Sequence, residues 1–170
     1  MKILFVAQTL QQVPGAENIH ILFLGDGAKK AELVESAKTR GLSNVVFVAS
    51  VPKDQVTRYW SLLDVSIIHL RKTDLFTSVI PSKLFECMGM GIPVLHGVAG
   101  ESAAIVQTEQ VGEVFESENN QQLVEALLKL RADETRIKCY QTNGKSAAKR
   151  YDRKQLAANM LEILKKVIAK

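Results

Sequence analysis

The sequence predicts an α/β fold, in which helices cover both faces of a doubly wound parallel sheet. Two observations predict it. Short, continuous apolar runs alternate with segments whose apolar residues recur at helical spacing, and such runs are typical of strands that are buried on both faces. The last third of the chain contains only helical patterns, so we expect a C-terminal helical layer beside the sheet.

The predicted elements follow one another in a regular order. Strands are predicted at residues 2–7, 19–25, 45–49, 65–70, 92–95 and 113–115. Helices are predicted over 28–38, 54–63 and 83–88, from Glu101 onward, from a cap at Asn119 or Asn120 to Arg131, and over 133–149 and 152–168. Ligands of such sheets bind outside the carboxyl ends of the strands, so the loops 25–28, 50–53 and 71–82 should converge on one crevice.

Length and composition indicate one globular domain, 1–170, with residues 133–170 as the helical layer. The net charge of +4 is spread along the chain. We interpret the basic C-terminal helices as solvated surface and predict no nucleic-acid partner, while peripheral contact with the inner membrane stays open. The two cysteines have no CxxC spacing and no histidine at ligand spacing, which predicts no metal and favours a cytoplasmic location. No apolar run approaches the length of a membrane span.

Residues 81–94, PSKLFECMGMGIPV, carry most of the functional information. Ser82 stands at the predicted N-cap of the short amphipathic helix 83–88, and glycines end that helix before an apolar strand. A helix N-terminus directs free N–H groups outward, and together with Lys83 it offers a site for phosphate. Glu86 lies one turn further and can accept hydrogen bonds from sugar hydroxyls. These groups suit a nucleotide diphosphate, held through its pyrophosphate and ribose.

Residues 21–68 and 81–95 together resemble the donor-binding domain of GT-B glycosyltransferases, most of all the retaining enzymes of family 4 (group 1). The shared order is strand, Gly-Asp-Gly, helix, strand, Val-Pro, helix, strand, Pro-Ser-Lys-x-Phe-Glu and Gly-x-Pro-Val, over about residues 20–115. The ordered set carries the resemblance, since each piece alone is a weak signal. It implies a Rossmann-like domain that forms one half of a GT-B fold.

The resemblance implies two groups of donor-binding residues. The first lies in loops that approach the donor and hold its nucleobase through main-chain groups: Gly25, Asp26, Gly27, Val51 and Pro52. The second is the helix terminus that meets the diphosphate and the ribose hydroxyls: Ser82, Lys83, Leu84 and Glu86. Lys83 and Glu86 are the implied catalytic residues, because Lys83 would neutralise the leaving diphosphate. The structural alternatives are a plain tight turn for Gly-Asp-Gly and a solvated helix acid for Glu86.

Two departures from the family pattern refine this interpretation. Ser78 stands where many relatives carry a first glutamate that contacts the donor sugar, and Ala104 stands where they usually carry another glutamate. A bacterial polysaccharide-assembly branch shares the Pro-Ser-Lys form and lacks the first acid. That branch transfers N-acetylated amino sugars among others, so the resemblance implies a hexosyl- or N-acetylaminosugar-transferase.

Residues 1–18 form an atypical, shortened start. Relatives begin this domain with a strand, a basic loop with a Lys-Gly pair and a full helix, whereas Gln8–Asn18 contains no Lys or Arg. Eleven residues are also marginal for a crossover between parallel strands. Because MKILFVAQ resembles the first strand of the acceptor-binding half, our hypothesis is that the chain joins the start of that half to a donor domain.

The resemblance implies a donor domain that binds a nucleotide sugar, by family frequency a UDP-sugar rather than a GDP- or TDP-sugar. It would transfer the sugar with retention in polysaccharide or glycan biosynthesis, without metal or other cofactor. A separate acceptor-binding domain would be needed, so we expect the isolated chain to be inactive. The alternatives are a non-catalytic nucleotide-sugar-binding module or split-enzyme subunit, and a nucleotide-sugar epimerase-like domain. An exposed interdomain face would favour weak homo-oligomers.

Overall fold

The computed structural model describes residues 3–73, 76 and 78–168. The strands are β1 (Ile21–Leu24), β2 (Val45–Val48), β3 (Ser66–His69), β4 (Val94–Gly97) and β5 (Gly112–Val114). The helices are α1 (Ile3–Gln11), α2 (Lys30–Thr39), α3 (Val56–Trp60), α4 (Ser82–Met90), α5 (Glu101–Glu109), α6 (Asn120–Arg131), α7 (Glu134–Ala148) and α8 (Arg153–Ile168), with a 3₁₀ turn at Lys149–Tyr151.

All strand pairs are parallel, as predicted, but they form two sheets. β1 pairs with β2 from Ile21 opposite Val45 onward. The second sheet has the order β3-β4-β5, with Ser66 opposite Val94 and Val94 opposite Gly112. The predicted α/β class is therefore confirmed, while the described strands divide between a pair and a triplet.

Helices cover both faces of the strands. On one face α1 and α6 pack in a cluster with Leu95 of β4, and on the other α4, α5 and α7 pack with its neighbour Val94. Successive strand residues point to opposite faces, and here both are completely buried. The main chains of α4 and α7 approach closely, since a Cβ at Gly144 would lie 3.3 Å from the carbonyl oxygen of Met88. The sheet is thus doubly wound, as the sequence predicts.

The strand predicted at residues 2–7 is wrong, because residues 3–11 form helix α1. Its apolar residues Ile3, Val6, Ala7 and Leu10 follow the i, i+3, i+4, i+7 spacing of one helix face, and the last three are completely buried. Residue 2 lies outside the described residues. The eleven-residue crossover does not arise, while the hypothesis that the chain joins the start of the acceptor half to a donor domain stays a prediction.

The C-terminal helices differ in how they pack. Helix α7 contacts α4 and α6 and buries Gly144 and Ala147. Helix α8 has the predicted helical spacing but buries none of its residues. Its exposed apolar side chains include Leu156, Met160 and Val167. In the part of the chain that the structure describes, no helix is long and apolar enough to cross a membrane.

Candidate functional site

The N-terminus of α4 begins one residue earlier than predicted. Pro81 is the N-cap, with an extended ψ of 126°, and Ser82 is the first helical residue, without a side-chain capping bond. The assignment of Ser82 as the cap is therefore wrong. Proline fixes its own φ near the helical value and has no N–H to satisfy, so it can stand at the start of the helix without a hydroxyl cap. Its carbonyl oxygen accepts a hydrogen bond from the N–H of Leu84 at 3.0 Å.

One side of this helix terminus is buried in the core and the other side is exposed. The Leu84 side chain is completely buried, and its amide is engaged with Pro81. Leu84 therefore fixes the helix rather than offering a free donor. The amides of Ser82 and Lys83 have no intrahelical acceptor, because they belong to the first turn. Both of these residues are exposed, so their N–H groups remain for a ligand.

Lys83 and Glu86 stand on one side of the exposed surface of α4. They are three residues apart, which places them on neighbouring positions of a helix face, and both are exposed. Among the described residues, neither forms an ion pair or a side-chain hydrogen bond. A cation with unused hydrogen-bond donors and a carboxylate with unused acceptors, one turn apart, suit a ligand that carries both phosphate and hydroxyl groups.

The Gly-Asp-Gly turn lies directly after β1. Gly25 has a φ of +138°, a conformation that favours glycine, and a Cβ at Gly25 or Gly27 would meet nothing within 4 Å. The turn is therefore open on its outer side, and the main chain is accessible there. This agrees with a site that a ligand approaches closely, although a simple tight turn would show the same openness.

Asp26 connects two of the predicted loops. Its Oδ1 accepts a hydrogen bond from Lys30 Nζ at 2.6 Å, and its Oδ2 accepts one from the main-chain N–H of Ser50, also at 2.6 Å. Lys30 and then Ser50 lower the pKa of this carboxyl group. The Lys30 ammonium also donates to the carbonyl of Val48 at 3.3 Å. Asp26 is therefore fully engaged in holding the loops after β1 and β2 together.

Lys30 and Ser50 are the site residues that sequence reasoning missed. The Asp26–Lys30 spacing of four residues on a helix start is a visible signal for an ion pair. The contact with Ser50 spans 24 residues and depends on the pairing of β1 with β2, so the sequence offers no local signal for it.

The other loop residues follow the predicted arrangement in part. Val51 is half-buried and Pro52 is exposed, and the carbonyl of Pro52 accepts a hydrogen bond from the N–H of Gln55 at 2.9 Å. This loop therefore adjoins the Gly-Asp-Gly turn through Ser50, as predicted. The third loop, 71–82, includes residues 74, 75 and 77, which lie outside the described residues.

A cavity of about 890 Å³ lies between β1 and β3, and Lys83 lines it. Leu24, which directly precedes Gly25, lines the same cavity together with His69 at the carboxyl end of β3. The structure thus brings Lys83 and the end of β1 to one space, next to the Gly-Asp-Gly turn. The other predicted site residues do not line this cavity: Gly25, Asp26, Gly27, Val51, Pro52, Ser82, Leu84 and Glu86.

A buried histidine lies beside the site but does not open to it. His96 of β4 is completely buried, and its Nε2 lies 2.6 Å from Oγ of the equally buried Ser102. Its Nδ1 has no hydrogen-bond partner within the described ranges. Burial lowers the pKa of His96 to about 4, so the ring is neutral at physiological pH. The described residues contain no group of three or more His, Cys, Asp or Glu that could hold a metal ion; the expectation of metal-free chemistry stays a prediction.

Solved structures of similar fold are larger proteins. The chain is 19% identical to sucrose-phosphate synthase of Thermosynechococcus elongatus, with a TM-score of 0.72. The match covers 99% of this chain and 42% of the synthase. Against HepE of Anabaena, solved in complex with UDP-glucose, the identity is 17%, the TM-score 0.75 and the coverage 96% and 44%. Against the C-terminal domain of LpcC, a group 1 family glycosyl transferase of Francisella tularensis, the identity is 19% and the TM-score 0.66. That match covers 84% of this chain and 74% of the LpcC domain.

These likenesses establish the fold as one half of the GT-B glycosyltransferase architecture. The chain spans less than half the length of the first two proteins. No curated protein matches the sequence. The family model described as "Glycosyl transferases group 1" matches residues 2–133, which include the strands β1 to β5 and the helices α1 to α6. The chain therefore belongs to the group 1 glycosyl transferases.

Proposed function

We propose that this chain is the donor-binding domain of a retaining glycosyltransferase and holds a UDP-sugar at the N-terminus of α4. One observation carries the proposal: an anchored helix terminus leaves the amides of Ser82 and Lys83 without intrahelical acceptors, and the Lys83 side chain, which forms no ion pair within the described residues, lines the cavity beside the carboxyl ends of β1 and β3. Helix N-termini of this kind bind phosphate, because the helix dipole and the free N–H groups act together.

The proposed chemistry is electrostatic. As the bond between the sugar and the diphosphate breaks, negative charge accumulates on the departing UDP. The amides at the start of α4 and the Lys83 ammonium would stabilise that charge, which lowers the barrier if they bind the product charge more strongly than the intact donor. Glu86, one turn along the same face, would accept hydrogen bonds from the ribose hydroxyls and fix the nucleoside.

The loops after β1 and β2 would complete the donor site. Gly25 and Gly27 leave space for a ligand to approach the main chain. Asp26 holds this turn against Ser50 and so acts as a positioning residue rather than a ligand contact. Val51 and Pro52 follow directly, and their main-chain groups would face the nucleobase.

Similar proteins support a nucleotide-sugar donor. HepE of Anabaena was solved with UDP and with UDP-glucose, and the family is that of the group 1 glycosyl transferases. In our proposal the acceptor is bound by a separate domain, so the chain alone binds the donor without transferring the sugar. The Pro-Ser-Lys-x-Phe-Glu segment further suggests the polysaccharide-assembly branch, acting in the cytoplasm.

Calorimetric titration of the purified chain with UDP, GDP and TDP tests the proposal. We expect UDP to bind selectively, and Lys83→Ala and Glu86→Ala each to weaken it roughly fivefold to a hundredfold, the range for losing a hydrogen bond to a charged group. Lys38→Ala and Glu35→Ala remove equally exposed charges from α2 and should leave the affinity unchanged. Failure of all three nucleotides to bind, or equal losses in the α2 controls, would contradict the proposal.

A further inference from the structure

Each of the two sheets has one unpaired strand edge at the same cavity, that of β1 in the pair and that of β3 in the triplet. Within the described residues, β1 pairs with β2 alone and β3 pairs with β4 alone. All four residues of β1 line the cavity from one side, and Ser66, Ile67 and His69 of β3 line it from the other. The cavity therefore separates two strands that would otherwise belong to one continuous sheet.

The main-chain donors of β1 alternate between its partner strand and the cavity. The N–H groups of Ile21 and Gly25 donate to carbonyls on the β2 side at 2.8 and 3.1 Å. Because successive residues of a strand direct these groups to opposite sides, Leu22 and Leu24 direct theirs away from β2. Both of these residues line the cavity.

The same alternation holds for β3. The N–H groups of Ser66 and Leu70 donate to carbonyls on the β4 side, at 2.9 and 3.5 Å. Ile67 and His69 therefore direct their amides away from β4, and both line the cavity. Four main-chain donors, two from each edge, thus face the cavity, and a polypeptide strand has the carbonyls to match them.

The surroundings of the cavity specify the chemistry of such a strand. The flanking helices contribute apolar side chains, among them Leu127, Leu130 and Ile137, while Lys83 and His69 line the same cavity. A strand between two others, with helices on both faces, has an apolar side chain at nearly every position.

We propose that the cavity between β1 and β3 binds an extended, continuously apolar β-strand of a second polypeptide, which joins the two sheets into one. A second copy of this chain is a poor source. Its remaining apolar stretch, residues 3–10, is held in α1 with Val6, Ala7 and Leu10 completely buried, so donating it would dismantle the core of the donor copy. The β1–β2 and β3–β4 ladders each leave an open strand edge at the cavity, to which a further strand can hydrogen-bond. Addition of a strand to an open edge is a general mode of peptide binding.

Amide hydrogen exchange of the nucleotide-free chain tests this proposal separately from donor binding. Ile3 at the start of α1 lines the cavity, so a strand fused ahead of Met1 through a four-residue linker, within the usual range for strand–helix connections, can reach it at high effective concentration. The fused strand is Thr-Val-Ile-Val-Val-Ile. A matched control replaces its second and fourth residues with proline, which cannot donate to a ladder. The free peptide, flanked by lysines and added in excess to the unfused chain, is a second test that leaves the protein unaltered.

We expect the amides of Leu22, Leu24, Ile67 and His69 to exchange at least roughly tenfold more slowly with the apolar strand than with the proline control. The amides of Ile21 and Ser66 point to β2 and β4 and should change little. Equal exchange with both strands, fused and free, would overturn the proposal. Protection of one edge only would overturn insertion between the two sheets. Protection of all four amides in the unfused chain on raising its own concentration would overturn the choice of partner.

Discussion

The two sheets of this domain differ in how completely they are buried. All four residues of the central strand β4 are buried, whereas Ile21 is the single buried residue among the eight of β1 and β2. In sequence β1 and β2 are the more apolar strands, with ILFL and VVFV against VLHG in β4. The difference shows that burial depends on pairing: β4 has a strand on each edge and helices on both faces, while β1 has a partner on one edge alone among the described strands.

The two sheets are also held together by different contacts. In the triplet the main chains approach closely, since a Cβ at Gly112 would lie 1.9 Å from the carbonyl oxygen of Val94. In the pair, the rings of Phe23 and Phe47 stack with centroids 5.1 Å apart. Substitutions should therefore affect the triplet through steric overlap and the pair through loss of partly exposed side-chain contact.

The largest effect is expected for Gly112→Ala. The added methyl group would overlap the Val94 carbonyl, and the clash involves main chain that cannot move without breaking the β4–β5 ladder. Overpacking of this kind costs about 3 kcal/mol or more when the neighbour cannot relax. Urea unfolding followed by circular dichroism measures the loss.

Gly89→Ala is the matched control for that substitution. Gly89 lies inside α4, and a Cβ there would meet nothing within 4 Å. Replacing a helical glycine with alanine stabilises by about 0.5–1 kcal/mol. A neutral Gly112→Ala would show that the close approach of β4 and β5 does not constrain the triplet, and an equal loss of stability in both variants would show that the cost is not specific to that approach.

A pH dependence is also expected to originate in the triplet. Burial lowers the pKa of His96 to about 4, while a histidine in the unfolded chain titrates near 6.5. The unfolded state therefore binds the proton first as the pH falls. His96 costs no stability above about pH 6.5, and the free energy of unfolding falls progressively between pH 6.5 and 4, by at most about 3 kcal/mol.

Variants separate His96 from the other groups that titrate in this range. Burial also lowers the pKa of His69, so the wild-type slope contains both histidines. His96→Gln should flatten the slope of unfolding free energy against pH, and His69→Gln separates the share of that slope which belongs to His69. Identical slopes for the wild type and His96→Gln between pH 6.5 and 5 would contradict the assignment.

A pair of truncations compares the two sheets directly. Leu95 is completely buried in β4, and Leu95→Ala should cost about 3–4 kcal/mol through the cavity that it leaves. Phe23 of β1 is half-buried, and although it is the larger side chain, Phe23→Ala should cost about 1–2 kcal/mol because less of its surface leaves water on folding. Equal losses, measured by chemical unfolding, would show that β1 is as well supported as β4.

Local chemistry made most of this fold predictable. The strands from β1 to β3 lie within the predicted ranges, because short apolar runs between turn residues fit a buried strand. The cap at Asn119, whose side chain accepts from the N–H of Gln122 at 3.1 Å, and the helix that begins after Asp133 are also confirmed. Such features depend on residues within four positions of one another, which the sequence displays.

The errors arose where distant parts of the chain decide the outcome. The segment 3–10 fits a strand or a helix by local composition, and its packing against α6 selects the helix. The i, i+3, i+4, i+7 spacing from Ile3 to Leu10 was the available signal. In the candidate site, the chemistry of Lys83 and Glu86 could be proposed from their spacing, but the bond from Ser50 to Asp26 and the division of the sheet depend on tertiary arrangement.

The smallest effect is expected for removal of α8, the element least involved in either sheet. None of its described side chains is buried, so deleting residues 153–170 should change the unfolding free energy by less than about 1 kcal/mol. The exposed row of Leu156, Met160, Leu164 and Val167 should instead promote weak self-association, which the deletion would abolish in sedimentation velocity runs. A large fall in stability would show that α8 packs on the domain in solution. Unaltered association would place the contact elsewhere, for instance at the open edges of β1 and β3, where the contrast between the two sheets begins.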